Sequence, residues 1–193
     1  MSNKKSERLV GVALFTAIVV LLQLLAIVTR SFGLPFSLTF VLVPIVVGAA
    51  LYGVGAGAWF GFVFGMAVLV SGDAYAFLTV NSLGTILTVL VKGAVAGLGA
   101  GLVYRALEKF NRTLAVFAAA AVCPLLNTGI FLIGCKLFFM ETLAGWADGA
   151  GFGSDVAAYM FLGLVGVNFL VEFAVNLILA PVIHRLILIG KKA

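Results

Sequence analysis

The sequence predicts an all-α membrane protein: a single integral membrane domain over residues 1–193, folded as a bundle of about six transmembrane helices. Three observations carry this expectation. Hydrophobic residues make up 64% of the chain and charged residues only 10%, with a mean hydropathy of +1.27. A soluble domain carries roughly 25% charged residues, because its surface must face water. The apolar residues fall in long charge-free runs, and at about 20 residues per crossing plus short connections there is room for about six. The basic residues, finally, distribute very unequally between the two sides of such a bundle. No soluble catalytic domain fits in what remains.

The first helix is predicted over 9–29, preceded by Lys4, Lys5, Glu7 and Arg8 and followed by Arg30. A signal peptide would have an apolar region of only about 7–15 residues and a small-residue cleavage site. This run is longer and ends in Ala26-Ile27-Val28-Thr29-Arg30, so it reads as a retained helix. Residues 36–69 are free of charge and too long for one crossing. Gly53-Val54-Gly55 is the best place for a tight reversal, giving helices over 36–52 and 55–70. A polar stretch over 71–82 holds Asp73 and Asn81, and a fourth helix follows over 83–107. Beyond the charged patch of Arg105, Glu108, Lys109 and Arg112, a fifth helix spans 114–138 with a kink expected at Pro124. Residues 140–155 read as the longest loop, glycine-rich and acidic, carrying Trp146 and Phe152. A sixth helix over 156–187 is long enough to tilt or to project from the bilayer.

With the N-terminus inside, the inner segments hold Lys4, Lys5, Arg8, Arg105, Lys109, Arg112, Arg185, Lys191 and Lys192, nine of the twelve basic residues. The outer segments hold Arg30 and Lys136, with Asp73, Glu141, Asp148 and Asp155 as their acids. By the positive-inside rule this places both termini in the cytoplasm. It also accounts for the net charge of +5 without nucleic acid, since basic residues belong against anionic inner lipid.

The chain has 23 glycines. Lipid offers helices no hydrophobic drive to associate, so small side chains that let backbones approach take that role. Gly57, Gly61 and Gly65 form one four-residue stripe, and Gly93, Gly97 and Gly101 another. Both are expected to pack within the bundle. On the first helix, Ala13-Leu14-Phe15-Thr16-Ala17 is a small-x-x-x-small step near the inner end.

Ionisable residues inside a bilayer cost several kcal/mol, and each is a candidate functional group. Lys92 stands roughly 13 Å deep on the fourth helix, and Glu172 roughly 20 Å deep on the sixth, at 1.5 Å per residue. Asn168, Glu172 and Asn176 follow at four-residue spacing, and Asn127 lies midway along the fifth helix. Two readings stand. Lys92 and Glu172 form a structural pair with asparagines bridging helices, or the five line a ligand pocket open to the outside. In the second reading Lys92 meets a carboxylate, phosphate or ring oxygen, while Glu172 and the asparagines bond a polar heterocycle. Trp146, Phe152 and Tyr159 could then close over it.

Enzyme chemistry is not expected. His184, the single histidine, has no acid or nucleophile placed beside it, and one histidine with two cysteines makes no metal spacing. Cys123 and Cys135 lie roughly 18 Å apart along one helix, too far to pair. The stretch from Gly129 to Lys136 lacks both the phosphate-loop motif and its strand–loop–helix context. No metal, cofactor or ATP hydrolysis is predicted.

With its short helices, inner termini and absence of an energy-coupling motif, the chain resembles the substrate-binding S components of energy-coupling factor (ECF) vitamin transporters. Ala13 and Ala17 match the alanine step by which S components dock onto the coupling subunit. Residues 42–57 are similar to the family's passage from helix 2 to helix 3, and residues 92–105, from Lys92 through Gly93, Gly97, Gly101 and Tyr104 to Arg105, to its fourth helix. The resemblance implies an S-component-like bundle in a prokaryotic cytoplasmic membrane. It would capture a vitamin or related micronutrient outside and deliver it inward with a transmembrane coupling subunit (T component) and two ATPases. Mapped here, the family's pocket falls on Lys92, Asn127, Asn168, Glu172 and Asn176, and the docking step on Ala13 and Ala17. The main alternative is a stand-alone secondary transporter or channel with Lys92 and Glu172 as an ion or proton relay. The inverted repeats of many such folds are not visible. An intramembrane enzyme is the third.

Overall fold

The structure, a computed structural model, describes the backbone of residues 2–31 and 40–191, and the side chains of residues 5–26 and 40–191. The expectations placed on Lys4, Arg30 and Lys192, and on the start of the second helix at 36–39, lie outside the described residues. Among those described there are helices and no strands.

The first helix, α1, runs Ser2–Ser31, and α2 (Leu42–Tyr52) meets α3 (Val54–Val70) at a single residue. That residue is Gly53, at φ 96° and ψ 174°, a backbone conformation closed to side chains with a Cβ. The predicted three-residue reversal thus shrinks to one. A four-residue turn, α4 (Tyr75–Leu78), precedes α5 (Ser82–Leu107). The Asn81 side chain caps α5 by accepting from the Gly84 N–H at 2.9 Å. Asn111 caps α6 (Arg112–Phe138) in the same way, accepting from Leu114 at 3.0 Å. The α6 helix runs through Pro124 as one element.

Two expectations are corrected here. The stretch 140–155, read as a loop, contains α7 (Met140–Gly149). Leu143 and Ala147, one turn apart, are both fully buried, and Trp146 packs edge-on against Phe77 with ring centroids 5.3 Å apart. An apolar face at helical spacing outweighs the glycines and acids that pointed to a loop. The sixth helix, predicted whole over 156–187, is broken into α8 (Val156–Ala158), a π-helical turn (Tyr159–Leu164), α9 (Gly166–Ile178) and α10 (Ala180–Gly190). The run 156–164 meets α9 at a 44° bend. Gly163 and Gly166 flank this bend, and Pro181, which lacks an N–H, opens α10.

The two glycine stripes pack against each other. A Cβ on Gly61 would run into the Gly93 carbonyl, one on Gly57 into Gly97, and one on Gly65 into the Val89 carbonyl. So α3 and α5 run antiparallel with their backbones in contact. Small residues such as Ala96, Ala100, Ala115 and Ala119 fill the interior, while Leu21, Leu83, Ile133, Leu162 and Ile178 point outward. Exposed large apolar side chains suit a bundle surrounded by lipid, and the small buried ones, set among larger ones such as Phe60, Leu42 and Ile45, let its helices approach.

Three helices, over 5–26, 82–107 and 112–138, are long and apolar enough to cross a membrane, and the bent 156–178 pair makes a fourth. The α2 helix, with 11 residues, and α3, with 17, reach roughly 16 and 25 Å against a hydrocarbon core of about 30 Å.

Candidate functional site

A cavity of about 260 Å³ opens among α1, α3, α5, α6 and α9, beneath the connection from α3 to α4. One water needs only about 10–15 Å³ on the same measure. The α5 helix contributes Thr85, Thr88, Val89 and Lys92, which share one face at helical spacing. The α6 helix brings Asn127, Thr128 and Phe131, and α9 brings Asn168, Phe169 and Glu172. From α1 comes Gln23, and from the α3–α4 connection Asp73. Phe64, Phe77 and Phe139 complete the aromatic wall.

Lys92 is the cationic centre. Its Nζ lies 5.0 Å from the centroid of Phe131 and 5.9 Å from that of Phe64, within cation–π range. Gln23 is fully buried, and its Nε2 donates to Asp73 Oδ2 at 2.5 Å and to Ser71 Oγ at 3.3 Å. These bonds tie the α3–α4 connection down onto α1. Four buried polar atoms of cavity-lining residues have no hydrogen-bond partner among the described residues: Gln23 Oε1, Thr88 Oγ1, Asn127 Oδ1 and Asn168 Oδ1. A buried polar atom left unpaired costs about 1–3 kcal/mol.

Of the residues selected from the sequence, Lys92, Asn127, Asn168 and Glu172 line this one cavity. Asn176 does not. It is fully buried one turn further along α9, and its Nδ2 donates to the Glu172 carbonyl at 2.9 Å. Four residues turn a helix by about 400°, so each step drifts by about 40° and the third member of the stripe leaves the face of the first. Trp146, Phe152 and Tyr159 do not touch the cavity as a lid. Trp146 stands behind the wall residue Phe77, and Phe152 packs on Tyr159 at 5.6 Å. Ala13 and Ala17 are both exposed on α1, on the outward face that also carries Val10, Leu14 and Leu21.

Sequence reasoning missed Gln23, Asp73, Thr88 and the phenylalanines. Gln23 had a readable signal, as the one amide in the first apolar run. Asp73 had none, because it reaches the cavity only through the fold of its connection.

At the opposite end of the bundle, Arg8, Arg105, Glu108 and Lys191 surround a second cleft beside the reversal at Gly53. Arg8 donates to the Tyr52 carbonyl at 2.9 Å, and Lys191 pairs with Glu108 at 2.5 Å. The basic groups described for the cytoplasmic side thus gather at one end, and the cavity lies toward the other.

Compared with known proteins, residues 7–184 match the family model described as ECF transporter, substrate-specific component. No curated protein and no solved structure matches the chain.

Proposed function

Since the chain belongs to the family of ECF transporter substrate-specific components, we propose that it captures a vitamin or related micronutrient at the outer face of a prokaryotic cytoplasmic membrane. It then delivers it inward with a transmembrane coupling subunit and two ATPase subunits. The observation that carries this reading is the cavity of about 260 Å³ lined by Lys92, Asn127, Asn168 and Glu172 from three helices. An apolar-walled cavity with a few convergent polar groups suits a polar small molecule. Lys92, Asn127, Asn168 and Glu172 contact the ligand, with Gln23 and Asp73 added to them, while Asn176 supports Glu172 through its backbone bond.

In this reading the basic end carrying Arg8, Arg105 and Lys191 faces the cytoplasm with both termini, and the cavity opens outward. Six crossings are made by α1, α2, α3, α5, α6 and the broken run from α8 to α10. The short α2 and α3 are accommodated by local bilayer thinning. The exposed Ala13–Ala17 step meets the coupling subunit, whose helix can approach where side chains are small.

Expressed with its neighbours, the chain should co-purify with an ATPase-containing complex, and uptake in proteoliposomes should require ATP. Uptake by the lone chain driven by an ion gradient would sink this reading and favour a secondary transporter with Lys92 and Glu172 as the relay.

A further inference from the structure

The second cleft, at the basic end of the bundle, has a volume of about 510 Å³ and shares no residue with the cavity around Lys92. That volume falls within the roughly 300–1,000 Å³ of small-molecule sites. Four parts of the chain meet around it: Arg8 of α1, the reversal from Tyr52 to Val54, the end of α5 with Tyr104, Arg105 and Glu108, and Lys191 just beyond α10. The space over the reversal is open, since a Cβ added at Gly53 would meet nothing within 4 Å.

Three cations line this cleft against one acid, Glu108. Lys191 neutralises that acid, pairing with it at 2.5 Å while its ammonium lies 5.0 Å from the centroid of the Tyr104 ring. Two guanidinium groups remain. Arg8 is anchored by one bond, from Nη2 to the Tyr52 carbonyl, and its fork of five N–H donors has others to give. Arg105 is exposed, and among the described residues its side chain makes no hydrogen bond or ion pair. Planar guanidinium forks match the oxygens of a phosphate, and these two leave the cleft cationic.

The neighbouring surface selects the source of that phosphate. Leu98 and Leu102 stand seven and three residues before Arg105 on the same face of α5, and both are exposed. Leu9 and Val10, directly after Arg8 on α1, are exposed as well. Apolar surface thus leads from both guanidinium groups into the span of the bundle. An acyl chain can lie against it, whereas a free phosphate gains nothing there.

We propose that this cleft binds the phosphate headgroup of an anionic phospholipid from the leaflet at the basic end of the bundle. Arg8 and Arg105 hold the phosphate oxygens, and an acyl chain lies along Leu102 and Leu98. A zwitterionic lipid carries its own cation beside the phosphate and binds more weakly.

The test titrates the full-length chain in mild detergent with phosphatidylglycerol, phosphatidylcholine and inorganic phosphate in separate series. Native mass spectrometry counts bound lipid, and thermal shifts are read in parallel. Wild type is compared with Arg105→Gln and with Lys109→Gln. Lys109 is exposed at the same end but does not line the cleft, so it reports diffuse attraction between charges. Melting temperatures without lipid verify that both variants are folded, which the exposure of both side chains favours. The expected result is phosphatidylglycerol held in preference to phosphatidylcholine. Its affinity should fall about 5-fold or more in Arg105→Gln, the contribution of one cation at an anionic headgroup, and less than about 2-fold in Lys109→Gln. Equal losses in the two variants, or phosphatidylcholine held as tightly, would overturn the proposal and leave only diffuse attraction to the basic surface. A shift with inorganic phosphate as large as that with phosphatidylglycerol would overturn the lipid as occupant and leave a site for a free anion.

Discussion

The apposition of α3 and α5 makes a quantitative prediction at Gly61. A Cβ added there meets the carbonyl oxygen and carbon of Gly93 and the backbone nitrogen of Ala94, none of which can rotate away. The helices must part. If they separate by about 0.5–1 Å, the flanking contacts of Gly57 with Gly97 and of Gly65 with Val89 forfeit a quarter to a half of their dispersion energy. Overpacking of this kind costs about 1–3 kcal/mol. Glycine-to-alanine changes also gain helix propensity, up to about 1 kcal/mol, so the control must gain it too. Gly129 on α6 serves, because a Cβ there meets nothing within 4 Å. Gly61→Ala should therefore lie about 1–3 kcal/mol below Gly129→Ala in stability. At roughly 2–4 °C per kcal/mol for a chain of this size, that is a gap of several degrees. Thermal unfolding in detergent, read by fluorescence for both variants side by side, measures it. Equal melting temperatures would refute the backbone-to-backbone contact on which the antiparallel pairing rests.

Three further outcomes are expected. Lys92→Met should weaken ligand binding by about 10- to 100-fold, the equivalent of a charge-assisted hydrogen bond of roughly 1.5–3 kcal/mol. Calorimetry that found affinity intact and only stability lowered would return Lys92 to a purely structural pair with Glu172. Ala13→Trp should leave binding unchanged, since Ala13 is exposed and remote from the cavity lining, but abolish assembly with the coupling subunit. Normal ATP-driven uptake by this variant would dispose of the docking assignment. Asn176→Leu should lower stability by about 1 kcal/mol through the lost bond to the Glu172 carbonyl, and change affinity less than two-fold. A large affinity loss would place Asn176 among the ligand contacts after all.

Some of this protein is written in the order of its residues. Burying a charge or an amide in an apolar run costs several kcal/mol wherever the run packs, so Lys92, Asn127, Asn168 and Glu172 stand out before any fold is known. The glycine stripes declare themselves by spacing, and the all-helical membrane character by the scarcity of charge. What the sequence leaves open depends on rotation and reversal. Asn176 shares the spacing of Asn168 and Glu172 but turns away from the cavity, because the helical repeat does not divide evenly by four. The last helix breaks at Val165 and Leu179, close to Gly163, Gly166 and Pro181, residues whose presence in the run did not by itself mark where it would bend. Asp73 carries no mark that separates it from Asp148 or Asp155. It lines the cavity where the α3–α4 connection meets α1, bonded there by Gln23, 50 positions earlier. The cost of burial is local and can be read along the chain. The geometry that brings donors, acceptors and charges to one point is a property of packing, and only the tertiary structure decides it.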